Sequence, residues 1–204
     1  MSELVGAFVE AQIRGNRHDA LALLRARTSG DPLIVIRDAQ REIGRRWEES
    51  QISIAQEHVA TAIAQFVLAQ LQPELKRSAS CGKRVLLACV EGEQHDMGPR
   101  IAVELLEMAG FDVCFVGAST TVESLVSLVT REQPDVIALS LTMPAHAPGL
   151  RAFVDGLRVA GIRTPIVVGG HALGSDASLA EGLDVQGVGT DGEQLVAFAR
   201  DLTR

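Results

Sequence analysis

Around residue 80 the chain changes its hydrophobic period, and this change limits what it can fold into. Up to Leu71, apolar residues recur every three or four positions. From Val85 onward they form short unbroken runs separated by amphipathic stretches. The first pattern belongs to helices packed along one face, the second to buried parallel strands alternating with helices. Between them, residues 72–82 read QPELKRSASCG, a polar stretch with a Pro, two Ser and a Gly, which is linker chemistry. The expectation is two domains, residues 1–75 and 82–204.

In the first half, Leu4, Phe8, Ala11 and Gln12 share a helical face. A second helix runs through Leu21, Leu24 and Arg25 and is expected to end near Gly30. Asp31 followed by Pro32 reads as an N-cap and first-turn pair. That third helix passes Ile36, Ala39 and Ile43 to Trp47. Residues 49–52 continue a helix poorly, and Ser53 with Gln56 has the spacing of a capping box. A fourth helix therefore starts there and carries Glu57, His58, Ala62, Phe66 and Leu71. Four helices on short connections suggest a small antiparallel bundle.

In the second half, strands are expected over 85–90, 113–116, 136–139, 166–168 and 185–188. Helices are expected over 101–109, 122–131, 148–160 and 191–203. This alternation predicts a Rossmann-like (flavodoxin-like) α/β fold, a five-stranded parallel sheet with helices on both faces.

Composition removes several function classes. The net charge is −7 with no long Lys/Arg run, which argues against direct nucleic-acid binding. No apolar run approaches the roughly 20 residues of a membrane span, and no basic flank precedes an apolar run at the N-terminus. Cys81, Cys89 and Cys114 lack a C-x-x-C spacing and read as small hydrophobes in a reducing cytoplasm. The remaining histidines, His18, His146 and His171, read as surface or loop residues, with His171 directly after a Gly pair.

The stretch richest in chemistry is EGEQHDMG, Glu91 to Gly98. It follows the first buried strand, so it lies at the carboxyl edge of the sheet, where open α/β folds bind ligands. It has neither G-x-G-x-x-G nor the Lys and Ser/Thr of a P-loop, which argues against a nucleotide site. It does offer an imidazole, His95, with carboxylates nearby. A metal-ligating His usually has its other ring nitrogen held by a carboxylate, and Glu93 or Asp96 could serve. Ser140-Leu141-Thr142 and Gly169-Gly170 stand at the next two strand ends. Together with His95 they would leave a slot for a flat nitrogen ligand.

Glu93-x-His95-x-x-Gly98, Ser140-x-Thr142 and Gly169-Gly170 resemble the D-x-H-x-x-G, S-x-L and G-G motifs of cobalamin-binding domains. Glu93 stands in place of Asp and Thr142 in place of Leu. The resemblance implies that His95 is the lower cobalt ligand, displacing the dimethylbenzimidazole tail. It implies that Gln94, Asp96 and Gly98 sit beside the corrin, and that Ser140, Thr142, Gly169 and Gly170 line the tail pocket. The Glu variant resembles light-responsive cobalamin regulators of the CarH type. Trp47, nine intervening residues and Glu57-His58 also resemble their W-x9-E-H pattern. In that family these groups cover the upper face of adenosylcobalamin. On one continuous helix Trp47 and His58 would stand about 16 Å apart, so the break near residues 50–53 gives the pattern a mechanical sense.

Where CarH-type proteins carry a His after the Trp, this chain has Glu48, which leaves His58 or water for the upper cobalt site after light. The bundle begins almost at Met1, so a winged-helix DNA-binding domain is not expected. The resemblance therefore implies a cytoplasmic, non-enzymatic sensor that signals through a protein partner or a homo-oligomer, with no membrane or direct nucleic-acid contact. Photocobilin relatives also bind a bilin; no Cys is placed for a thioether link, leaving a non-covalent one open. Corrinoid methyl carriers of methyltransferase systems pair the same two domains and are the main alternative, followed by a storage or adaptor protein.

Overall fold

A computed structural model describes residues 2–27 and 31–204. The chain divides into two compact units, Met1–Leu75 and Lys76–Arg204.

The first unit holds four helices among the described residues: α1 (Glu3–Ile13), α2 (Arg17–Arg25), α3 (Pro32–Glu48) and α4 (Ile54–Leu71). Their starts follow local chemistry. The Asn16 side chain accepts from the Asp19 N–H, and the Asp31 side chain from the Leu33 N–H, with Pro32 in the first turn of α3. Between α3 and α4, Ser50 takes a left-handed φ of 57° and its N–H donates to the Trp47 carbonyl. Ser53 and Gln56 then form both halves of a capping box. α2 ends at Arg25, earlier than its sequence pattern suggests; Gly30, near which the end was expected, lies outside the described residues. Phe8, Leu24, Ile36, Ile43, Val67 and Leu71 are almost fully buried and build the core of this unit. Each such side chain contributes about 1.5–3 kcal/mol of burial free energy.

The second unit contains β1 (Arg84–Cys89), α5 (Met97–Met108), β2 (Asp112–Gly117), α6 (Val122–Glu132), β3 (Val136–Ser140), α7 (Ala147–Val159), β4 (Ile166–Gly169), α8 (His171–Ser175), β5 (Gly187–Gly189) and α9 (Gly192–Leu202). All strand pairs are parallel, in the order β2-β1-β3-β4-β5. Alternate residues of each strand face opposite layers. Leu86, Ala88, Ile137 and Leu139 pack with Leu125 of α6 and Phe153 of α7. Val85, Leu87, Val136 and Ala138 pack with Leu106 of α5 and Ala199 of α9.

Three features differ from the expected pattern. α5 begins at Met97 rather than Ile101, with Pro99 in its first turn, because the turn after His95 leads straight into the helix. The short α8 follows the Gly pair where only a loop was expected. Residues 76–82 do not hang free. The Ser78 N–H donates to the Met108 carbonyl and the Cys81 N–H to the Gly110 carbonyl, and Arg77 pairs with Glu107 at 2.6 Å. Gly110 takes φ +97°, and a Cβ there would lie 2.4 Å from the Ala79 carbonyl oxygen. This polar stretch is thus tied to the end of α5.

Among the described residues no helix is long and apolar enough to cross a membrane.

Candidate functional site

The strand order places the switch point between β1 and β3, since the chain leaves β1 towards β2 on one side and returns to β3 on the other. Open α/β sheets bind ligands at such a point. Here the two loops that meet are 90–96, after β1, and 141–146, after β3.

One side chain joins them. Glu93 is fully buried, and its carboxylate accepts five hydrogen bonds. Oε1 takes the His95 backbone N–H at 3.0 Å and the His95 ring Nδ1 at 2.5 Å. Oε2 takes the Thr142 and Met143 N–H groups, each at 2.9 Å, and the His146 ring Nδ1 at 3.2 Å. Burial alone would push this carboxyl up. The hydrogen bonds from His95, Met143 and His146 more than reverse that and hold it well below the usual carboxylate range. Glu93 is therefore a fixed anion, and a buried anion persists only when its lone pairs are filled in this way.

The His95 ring follows from this. Its Nδ1–H points at Glu93, so in the neutral ring Nε2 carries the lone pair. The side chain remains 47% exposed. The result is an imidazole with its tautomer and orientation set before any ligand arrives, as a carboxylate on the far ring nitrogen does for a metal-bound His. Among the described residues no three His, Cys, Asp or Glu cluster as a protein-only metal cage would require. A single imidazole suits a metal whose equatorial positions come from a macrocycle.

The neighbouring residues divide by role. Asp96 precedes α5, but its Oδ2 accepts from the Arg100 guanidinium at 2.7 Å, so of the two candidate carboxylates it is Glu93 that meets the His95 ring. Gln94 is exposed in the loop. Gly98 lies in the first turn of α5, and a Cβ there would meet nothing within 4 Å. A methyl group there would stand in open space, so no protein atom requires the glycine.

Ser140 ends β3 and is 8% exposed, in register with Cys89 and Gly169. Thr142 is half-buried and contributes its backbone N–H to Glu93. The Gly pair has an internal reason as well. Gly170 takes φ +120°, and a Cβ would lie 2.2 Å from the Leu141 carbonyl oxygen. A Cβ on Gly169 would lie 2.9 Å from the Gly189 carbonyl oxygen. These glycines let the ends of β3, β4 and β5 approach closely.

Sequence reasoning missed two residues. His146, taken for a surface or loop residue, has its ring Nδ1 on Glu93 and its Cδ2 against Gly92, where a Cβ would come within 3.4 Å. Ser119, in the loop after β2, donates its N–H to the Glu93 carbonyl and accepts the Gly92 N–H on Oγ. Neither carries a local signal, because both act on residues distant in sequence. Cys89 is buried behind the loop, and burial, with Asp96 and Glu93 nearby, pushes its thiol up to about 12. The three cysteines are free, Cys81 being exposed and Cys114 half-buried.

In the helical unit, Trp47 lies in the last turn of α3 and is half-buried, while Glu57 and His58 lie in the first turns of α4. Glu57 Oε1 accepts from the Thr61 hydroxyl at 2.9 Å. His58 is 71% exposed, with Nε2 3.7 Å from Glu57 Oε2. The break expected near residues 50–53 is present, so Trp47 and His58 stand on different helices.

Fold and site together define a class: a switch-point α/β domain that carries one carboxylate-oriented imidazole at its ligand-binding edge, with a four-helix unit before it in the chain. The B12 binding domain family matches residues 83–199 and, through a second B12 binding domain description, residues 4–72. The chain belongs to that family, and a cobalamin or related corrinoid is its cofactor class. It is 36% identical over 132 residues to the HTH-type transcriptional repressor CarA of Myxococcus xanthus, covering 64% of this chain and 43% of the repressor. It is 33% identical over 147 residues to the repressor CarH of the same organism, covering 71% and 48%. The chain thus spans less than half the length of these two relatives. It is 27% identical to dimethylamine corrinoid protein 1 of Methanosarcina acetivorans, covering 83% of this chain and 82% of that one. The fold matches the structure of the Methanosarcina barkeri monomethylamine corrinoid protein with a TM-score of 0.82, over 96% of each chain at 18% identity.

Proposed function

We propose that the protein is a cobalamin-dependent light sensor that binds adenosylcobalamin with His95 as the lower axial ligand. The observation that carries the reading is the Glu93–His95 pair, an imidazole already oriented for one axial bond, in a chain that also carries Trp47 and Glu57-His58 at CarH-type spacing. The similarity to the repressors CarA and CarH supports a regulatory role. Bound adenosylcobalamin supplies a cobalt–carbon bond that light breaks. The protein's residues do the rest. Glu93 fixes the His95 ring, Gly98 leaves space beside it, and Ser140, Thr142, Gly169 and Gly170 border the tail. Trp47, Glu57 and His58 would be the helical unit's face toward the cofactor, with His58 the candidate ligand after light. A change at that face biases a two-state packing of the helical unit, read by a protein partner or by self-association. A non-covalent bilin as a second chromophore is tested by the same absorption spectrum.

The second reading is a corrinoid methyl carrier, favoured by the match to a dimethylamine corrinoid protein over most of both chains.

The test mixes the protein with adenosylcobalamin in the dark and records absorption and apparent size before and after green light. Co-elution with a light-driven change in both spectrum and size is the expected result. Co-elution with no size change, and a preference for methylcobalamin, moves the assignment to the methyl carrier. Absence of co-elution overturns the role of His95. A Trp47→Ala protein with unaltered adenosylcobalamin affinity and photoresponse removes the Trp from the upper face.

A further inference from the structure

The Glu93 carboxylate has two ends, and only one is spent on His95. The other accepts two backbone N–H groups and one side chain, His146. The Ser140 hydroxyl is not among its donors. His146 is also set firmly in place. Its backbone N–H donates to the Met143 carbonyl at 3.0 Å, it is the residue before α7, and its ring rests on Gly92. Gly149, one turn into α7, approaches the same loop so closely that a Cβ would lie 3.2 Å from the Glu91 carbonyl oxygen. The start of α7 and the His95 loop are therefore packed as one body, and Glu93 and Gly92 are its points of contact with His146.

We propose that His146 is a positioning residue for cobalt ligation: by donating Nδ1–H to Glu93 Oε2 it holds the carboxylate in the orientation that in turn holds the His95 ring. The inference rests on the reading of His95 as the lower ligand. It adds a third member to the chain of contacts, His146–Glu93–His95, which crosses the switch point from the β3 loop to the β1 loop. A carboxylate bound at one oxygen only can rotate about its last torsion, which is broad. Bound at both, it cannot rotate without breaking hydrogen bonds to buried groups. The His146 donor is the one side-chain bond at the second oxygen. The Thr142 and Met143 N–H groups stay on that oxygen, so removing His146 takes away one of its three restraints and leaves His95 itself untouched.

The experiment compares His146→Phe, which keeps a ring over Gly92 and deletes the donor, with His146→Asn, whose amide nitrogen can occupy the Nδ1 position. His95→Ala is measured beside them. The first readout needs no cofactor: the proton resonance of the His95 Nδ1–H in the ligand-free protein, shifted downfield by its bond to Glu93. The second is axial nitrogen splitting in the paramagnetic resonance spectrum of protein loaded with cob(II)alamin. The third is cobalamin affinity. We expect His146→Phe to broaden or shift the His95 proton, to lower the His-ligated fraction and to weaken affinity about tenfold or less, below the 10–100-fold typical of a direct partner of a metal-bound His. We expect His146→Asn to restore most of each signal. A His146→Phe protein identical to the original in the proton resonance and the nitrogen splitting overturns the proposal, as does a His146→Asn protein no better than His146→Phe. Loss of the nitrogen splitting in His95→Ala upholds the ligand reading even if His146 proves silent. Its survival in His95→Ala overturns both.

Discussion

The two candidate histidines sit in opposite physical situations. His95 has its Nδ1 2.5 Å from a carboxylate that is itself fully buried and held from both sides. His58 is 71% exposed and lies 3.7 Å from Glu57, a partner with its own bond to Thr61. The first is organised by the fold before any cofactor arrives. The second is organised weakly and is open to rearrangement. An imidazole fixed by buried partners loses little freedom on binding a ligand, whereas an exposed one must be ordered by whatever it binds.

The largest effect that could break this contrast is at Glu93. Glu93→Ala strands the Thr142 and Met143 N–H groups and the two rings, and should destabilise the α/β unit by roughly 3–5 kcal/mol, measured by urea unfolding. Glu57→Ala should cost far less in the helical unit, and equal costs would erase the distinction between the two sites. Glu93 also makes the contrast pH-dependent. Its folded-state pKa is depressed below the unfolded value of about 4.3, so as pH falls the unfolded chain takes up the proton first. The associated stability is present above that value and declines below it. Glu93→Gln should therefore flatten the loss of stability between about pH 5 and pH 3.

Next in size is Gly170→Ala. At φ +120° and with the Leu141 carbonyl in the way, it should cost more than about 2 kcal/mol, read as a lowered thermal midpoint. Gly98→Ala sharpens the same point, because a methyl there meets no protein atom. Stability should change by less than about 1 kcal/mol, while cobalamin affinity falls. If Gly98→Ala binds normally, the space beside His95 is not where the corrin lies. The smallest effect is expected at His58, where His58→Ala should shift stability by no more than about 0.5 kcal/mol and act only on the cofactor-loaded, illuminated protein.

How much of this was legible beforehand depends on the distance in sequence over which each contact acts. The capping box at Ser53, the Asp31-Pro32 start and the helix break after Trp47 involve residues two to four positions apart, and each is present. The five strands and their parallel order follow from unbroken apolar runs alternating with amphipathic helices. Among the site residues, the sequence left Glu93 and Asp96 level as partners for His95. The choice falls to Glu93 because Arg100, one turn into α5, takes Asp96, and because the β3 loop brings two N–H groups to the other end of Glu93.

The amino-acid sequence by itself thus determined the class: a helical unit, a parallel α/β unit, and an acidic chain with one imidazole at the carboxyl edge of the first strand. Periodicity and caps are short-range physics, and a single chain displays them in full. Only the tertiary structure decided which carboxylate orients His95, that His146 shares it, and that Gly170 is required by the Leu141 backbone. The last two contacts join residues 53 and 29 positions apart, and the Thr142 and Met143 N–H groups anchor Glu93 from 49 and 50 positions away. They exist only because β1, β3 and β4 lie side by side, which no local pattern of side chains encodes.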